Sequence, residues 1–382
     1  YMKNIIHFSE FKAKSFLSDY WQKKPLLIKN AFVNFEDPIE GNELAGLALE
    51  ECIESRIISK DDEGNWEVSH GPFEHFDELG EKNWTLLVQA VNNWNRGVDD
   101  LISFVDFIPR WRIDDVMVSF STPGGGVGPH LDQYDVFIIQ GEGNRRWRVG
   151  NRNPEIKEVL PHQDLKQVED FDAIIDEVTE PGDILYIPPG YPHDGIAIEN
   201  SLNYSIGFQA PHRQELISGF ADKLIDEKAL EQRFGDEGRT LSESEVMTSD
   251  DYKSVSRFMK DALDDKKLMS GFIGQYLTKS HHELEIWVPE NELSNDVIVD
   301  ICQGGQDLVK VSGIKSLILE DFPNSLFING DLFEVNDDNR ALAHCLLSDQ
   351  GLTSEQLKSF TTCLKNVQLL TSVINRGYWF FE

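Results

Sequence analysis

Cysteine is scarce in this chain and follows no pattern. The four thiols, Cys52, Cys302, Cys345 and Cys363, form no C-x-x-C pair, which argues against a disulfide frame or a structural zinc and suits a reducing compartment. Long apolar runs are missing too, so nothing reads as a membrane-spanning helix. The opening Met2-Lys3-Asn4-Ile5-Ile6-His7 lacks the apolar core and small-residue cleavage site of a secretory signal, and a cytoplasmic location is expected. Positive charge is in short supply: 35 lysines and arginines face 67 aspartates and glutamates, for a formal net charge of −32. Such a chain repels phosphate backbones, so a basic protein or peptide is a better partner than nucleic acid. Internal repeats and low-complexity tracts are absent.

What is present is a globular composition, 40% hydrophobic and 27% charged, over 382 residues, which is enough for two or three domains. Periodicity predicts helices over 8–21, with Phe11, Phe16 and Leu17 on one face, over 42–52 starting near Asn42, and over 84–94. From Ile113 to Pro211 the pattern changes to short strands divided by glycine and proline: 116–121, 135–140, 146–149, 184–187 and 204–208. This spacing predicts a double-sheet jelly roll of the cupin type, with a ligand between the sheets. Beyond Pro211 the chain turns helical and polar to about Ser280, with Ser242-Glu243-Ser244-Glu245 as a loop or helix start. Leu216, Ile217, Phe220, Leu224 and Ile225 repeat there at helical spacing and need a partner, either the barrel or a second copy of the chain. The last hundred residues alternate short helix and strand signals around Gly304-Gly305 and Asn329-Gly330, as in a small α+β module.

Chemistry concentrates in Pro129-His130-Leu131-Asp132 and, sixty-three residues after His130, in Pro188-Pro189-Gly190-Tyr191-Pro192-His193. In a strand, residues two apart share a face, so His130 and Asp132 can reach one metal while Leu131 packs behind. His193 is the best third ligand, because the turns Pro181-Gly182-Asp183 and Pro188-Pro189-Gly190 bracket the buried strand 184–187 just before it and would fix the imidazole. Two histidines and one carboxylate leave three adjacent positions of an octahedral iron(II) open. The preceding run Gly124 to Pro129 lacks the lysine of a phosphate loop, which argues against nucleotide binding and for a mobile, close-approaching loop at the barrel mouth.

A third element, Arg145-Arg146-Trp147-Arg148, places Arg145 and Trp147 on one face and Arg146 and Arg148 on the other. An iron(II) site with one carboxylate carries a charge near +1, so a dicarboxylate co-substrate calls for one inward arginine, whose fork grips a carboxylate well.

With these elements in place the chain resembles the Jumonji-C branch of the iron(II)- and 2-oxoglutarate-dependent oxygenases, and within it the bacterial ribosomal oxygenases. The likeness rests on Tyr20 to Pro25, Trp111-Arg112-Ile113-Asp114-Asp115, Gly124 to Gln140, the Pro-Pro-Gly turn, and Gly377 to Phe381. It implies an α+β fold built on a double-stranded β-helix in a domain over 1–212, with its barrel core at about 113–211. A helical dimerisation region over 213–280 and a winged-helix-like module over 281–382 would follow.

It further implies that His130, Asp132 and His193 bind Fe(II) and that Arg145 holds the far carboxylate of 2-oxoglutarate. Ser119 and Ser205 would assist, with Ser121 and Asn203 as same-face alternatives. The implied reaction uses O2 to hydroxylate an arginine of large-subunit ribosomal protein sixteen, in a homodimer, with Asp114 and Asp115 available to the guanidinium. Three rivals remain: a related oxygenase acting on histidine or lysine, a zinc or manganese cupin that consumes no oxygen, and an assembly factor without chemistry.

Overall fold

A computed structural model describes residues 5–6, 13–243 and 245–382. The expectations for Phe8 and Phe11, and for Ser244, lie outside the described residues. The chain divides into two compact units. One comprises the chain to Ala210 with Ser280–Val288 and Lys310–Ile314, and the other holds Pro211–Lys279, Pro289–Val309 and Lys315–Glu382.

The first unit is the expected jelly roll. Its large antiparallel sheet has eight strands in the order Leu26–Ile28, Ile184–Ile187, Val136–Gln140, Ser201–Phe208, Ile113–Ser121, Trp84–Val88, Ser55–Lys60 and Trp66–His70. A second sheet, Ala173–Thr179, Arg145–Gly150 and His193–Ala197, faces it. Val136, Ile138, Leu185 and Ile187 from the large sheet pack with Trp147 and Val149 from the small one. The other face of the large sheet carries Phe137, Ile139, Tyr186 and Tyr204 into a cluster with Phe16, Leu44, Val98 and Phe104. Burial on both faces explains why Val136–Gln140 reads as a continuous apolar run, whereas a half-exposed strand would alternate.

Three local expectations change. Residues 84–94 are not a helix. Trp84–Val88 is a strand between Ser55–Lys60 and Ile113–Ser121, followed by a 3-10 turn at Val91–Asn93. Thr85 to Val88 are all buried there, and over so short an apolar stretch helical and strand periods coincide, so pairing on both sides decides. The second helix is shorter than expected, Gly41–Leu47, and begins at Glu40, which exchanges a reciprocal cap with Glu43. His130 and Asp132 lie on no regular strand either. Gly128 and Pro129 interrupt the backbone, and a single bridge, His130 to His193, remains.

The second unit has helices at Arg213–Asp226, Ser249–Leu263 and Lys266–Thr278, then a mixed module. The expected helical run breaks after Asp226, where Lys228 and Leu230 adopt positive φ, and resumes only at Thr248, which caps the next helix. In the module the Phe322–Ile328 and Asp331–Glu334 strands join through Asn329-Gly330, both at positive φ, as a two-residue hairpin requires. Gly305 closes the Asn295–Gly304 helix in the left-handed conformation. Among the described residues no helix is long and apolar enough to cross a membrane.

Candidate metal centre and its pocket

Between the two sheets of the first unit opens a cavity of about 590 Å³. His130, Asp132 and His193 line it, as do Arg145, Ser119, Ser205 and Asn203. His193 opens the His193–Ala197 strand and exchanges both backbone hydrogen bonds with His130, at 2.9 and 2.8 Å. That exchange brings the two rings to 4.2 Å between centroids. Asp132 follows, its carbonyl accepting the amide of Gly190 at 2.7 Å, and its carboxylate lies 3.5 Å from His193 Nε2.

Each imidazole bonds through Nδ1 to the carbonyl two residues before it, His130 to Gly128 and His193 to Tyr191, both at 2.9 Å. With Nδ1 as donor, each Nε2 is the atom free to present a lone pair to a metal. Burial, with His130 beside it, pushes the His193 imidazole down to about 4, so it is neutral at pH 7. The ligand atoms of the three residues fall within 4.8 Å of one another. Two imidazoles and a carboxylate so arranged fit a divalent iron with open positions.

The glycine run expected as a mobile loop is fastened. Gly124 N and Gly125 O bond to Ala197, Val168 N bonds to Pro129 O, and Gln167 Nε2 bonds to Val127 O at 2.8 Å. A Cβ on Gly126 would stand 2.4 Å from the Gly195 carbonyl. Here glycine serves close backbone approach, which brings His130 against the neighbouring strand.

Arg145 points inward and is 4% exposed. Its guanidinium donates to Ser119 Oγ at 3.2 Å, Ser121 Oγ at 2.9 Å and Ser201 Oγ at 3.0 Å, while Nε has no partner. Among the described residues no carboxylate pairs with it. Burial lowers its pKa to about 9, still charged at pH 7. A buried cation held only by hydroxyls is a prepared anion site. Its companions come from cross-strand pairs, Ser201 opposite Ser121 and Asn203 opposite Ser119. Both amide atoms of Asn203 lack partners. Ser205 reaches the cavity wall but is not bonded to Arg145. Sequence reasoning missed Ser201, although it shares the period-two face of Asn203 and Ser205.

Arg146 and Arg148 face outward, as alternation predicts, and pair with Asp176 and Asp170. Asp114 and Asp115 also line the cavity. Asp115 is 5% exposed and accepts from Ala90 N and Gln89 Nε2, both at 2.9 Å. With Asp114 and His282 it forms a second cluster of groups able to ligate a metal, and the contact to His282 is one the sequence did not signal.

A JmjC domain family matches residues 100–216, and a ROXA-like winged helix family matches residues 261–380. The chain belongs to the JmjC ribosomal oxygenases. Ribosomal protein uL16 3-hydroxylase of Escherichia coli strain K12 is 45% identical over 96% of this chain and 97% of its own length. A probable ribosomal oxygenase of Haemophilus influenzae is 32% identical over 84% of this chain and 82% of its own. The solved structure of E. coli ycfD superposes with a TM-score of 0.94 at 43% identity, covering 100% of both chains. YcfD in complex with cobalt and 2-oxoglutarate gives a TM-score of 0.89 at 42% identity over 98% of this chain and 99% of that one.

Proposed function

We propose that this protein is an Fe(II)- and 2-oxoglutarate-dependent oxygenase that hydroxylates an arginine side chain of ribosomal protein uL16. The observation that carries the reading is the buried, carboxylate-free Arg145 in the same cavity as His130, Asp132 and His193. His130, Asp132 and His193 would hold iron(II), which supplies the activation of oxygen. Arg145, supported by Ser119, Ser121 and Ser201, anchors the far carboxylate of 2-oxoglutarate, and Ser205 and Asn203 complete the wall around it. A zinc cupin has no need of such an anion site.

Asp114 and Asp115 supply negative charge for a guanidinium entering the cavity. Gripping the charged end of the side chain would set the target carbon near the metal, so that positioning selects the bond oxidised. Excess acidic charge over the whole chain draws in a basic ribosomal protein and disfavours direct contact with nucleic acid, in the cytoplasm.

The chain is also assigned three regions, 1–212, 213–280 and 281–382, and a homodimeric state. Support for the dimer comes from the Arg213–Asp226 and Ser249–Leu263 helices, which leave Ile217, Ile225, Tyr252 and Met259 exposed; the second has no buried residue at all.

The test is the intact mass of uL16 after incubation with enzyme, iron(II), 2-oxoglutarate and air. A gain of one oxygen atom, mapped to arginine and absent with Asp132→Ala, is expected. Oxidation mapped to histidine or lysine, or none with succinate still formed, would overturn the substrate; no succinate at all would overturn the oxygenase reading.

A further inference from the structure

Residues 280–288 return to the first unit after the helices and lie beside the cavity wall. A hydrogen bond from Asn93 Nδ2 to the Glu283 carbonyl, at 2.8 Å, ties this segment down, and Ser280 Oγ bonds to the His282 carbonyl at 2.8 Å. Its two histidines meet the two aspartates of the wall in order. His281 Nδ1 is 3.0 Å from Asp114 Oδ1, and His282 Nε2 is 3.7 Å from Asp115 Oδ2. Glu54 lies on the other side of His282, 4.0 Å from Nδ1. Arg56 and Asp132 line the same cavity.

Resting on the proposed arginine substrate, we infer that His282 is a positioning residue for recognition: its imidazole keeps the Asp115 carboxylate charged and oriented until a cationic side chain takes over that task.

The physical need is plain. Asp115 is almost fully enclosed, and a lone carboxylate there would take up a proton and so lose its grip on a cation. Burial does push Asp115 up, to about 6, with Asp114 adding to the rise. His282 is the largest influence in the opposite direction, ahead of the hydrogen bonds from Ala90 and Gln89. Lacking the imidazole, Asp115 would titrate higher and present a neutral carboxyl to substrate near pH 6.5. His281 makes the matching contact to the more exposed Asp114. A guanidinium entering beside Asp115 supplies the compensating charge directly.

The experiment is the pH dependence of kcat/KM for uL16, from pH 5.5 to 8.5, in the wild type and in His282→Asn, whose side chain stays uncharged. Succinate formed without uL16 reports the folded site in each variant, and His281→Asn serves as a milder second variant. An acid limb near pH 6 is expected for the wild type. If His282→Asn raises the Asp115 pKa by about one unit, the ionised fraction at pH 6.5 falls about threefold. KM for uL16 should rise by that factor at pH 6.5 and converge with the wild type at pH 8, with kcat at saturating uL16 little affected. Superimposable profiles for wild type and His282→Asn would overturn the inference alone. A wild type that forms succinate without oxidising an arginine of uL16 would overturn the substrate reading and the inference with it.

Discussion

Replacing Arg145 by methionine separates binding from folding in a way few substitutions do. The guanidinium is buried, with three serine hydroxyls and no carboxylate around it. Removing it from the loaded enzyme forfeits a charge-assisted contact worth about 1.5 to 3 kcal/mol. At about 1.4 kcal/mol per factor of ten, KM for 2-oxoglutarate should rise about 10- to 150-fold. Without co-substrate the sign changes. A desolvated cation without an anion costs free energy, and a methionine of similar length relieves it, so the Tm of the ligand-free variant should match or exceed that of the wild type. The hydroxyls left behind limit the gain, although Ser121 keeps its bond to Thr85 at 2.9 Å. Succinate formation against 2-oxoglutarate concentration gives KM. Thermal unfolding with manganese(II), with and without 2-oxoglutarate, gives the stabilisation by ligand, which should shrink in the variant. A folded variant whose KM lies within about twofold of the wild type would refute the assignment of Arg145 as the carboxylate anchor.

Other perturbations have equally definite outcomes. Because the folded His193 is depressed from 6.5 to about 4, the unfolded imidazole takes its proton first. The metal-free protein should therefore be fully stable by this group above pH 6.5 and lose up to about 3 kcal/mol as pH falls to 4, measurable by urea unfolding across that range. Phe137→Ala, at a fully buried position between the large sheet and the helices, should cost about 3 to 5 kcal/mol in the same assay. Gly126→Ala drives a methyl to 2.4 Å from the Gly195 carbonyl. It should destabilise by about 1 to 3 kcal/mol and weaken metal affinity, read by manganese(II) titration. The proposed dimer predicts that Ile225→Glu together with Met259→Glu lowers the mass in solution from that of two chains to that of one, by light scattering; a wild type with the mass of one chain would refute it.

Much of the centre was legible because its signals are local. His130 and Asp132 are two apart, His193 follows directly on a rigid Pro-Pro-Gly turn, and alternation separated Arg145 from Arg146. The strands of the barrel core were readable from their glycine and proline boundaries. Residues 84–94 were misread because Leu86, Leu87, Val88 and Val91 satisfy either period, and only the flanking strands select one. The pairing of His281 with Asp114 spans 167 residues. No local pattern announces such a contact; it exists because the chain returns to the first unit after three helices. Ser201 is the intermediate case, visible as a member of a polar strand face but assigned to Arg145 only once the facing sheet is in place.

The most direct test of the central claim is to run the reaction with uL16 under isotopically labelled dioxygen in ordinary water and to follow the label by mass spectrometry. One labelled oxygen atom in an arginine of uL16 and one in succinate, in equal amounts and both lost with Asp132→Ala, is the predicted result. An unlabelled product, or oxidation of uL16 without consumption of 2-oxoglutarate, would contradict the account.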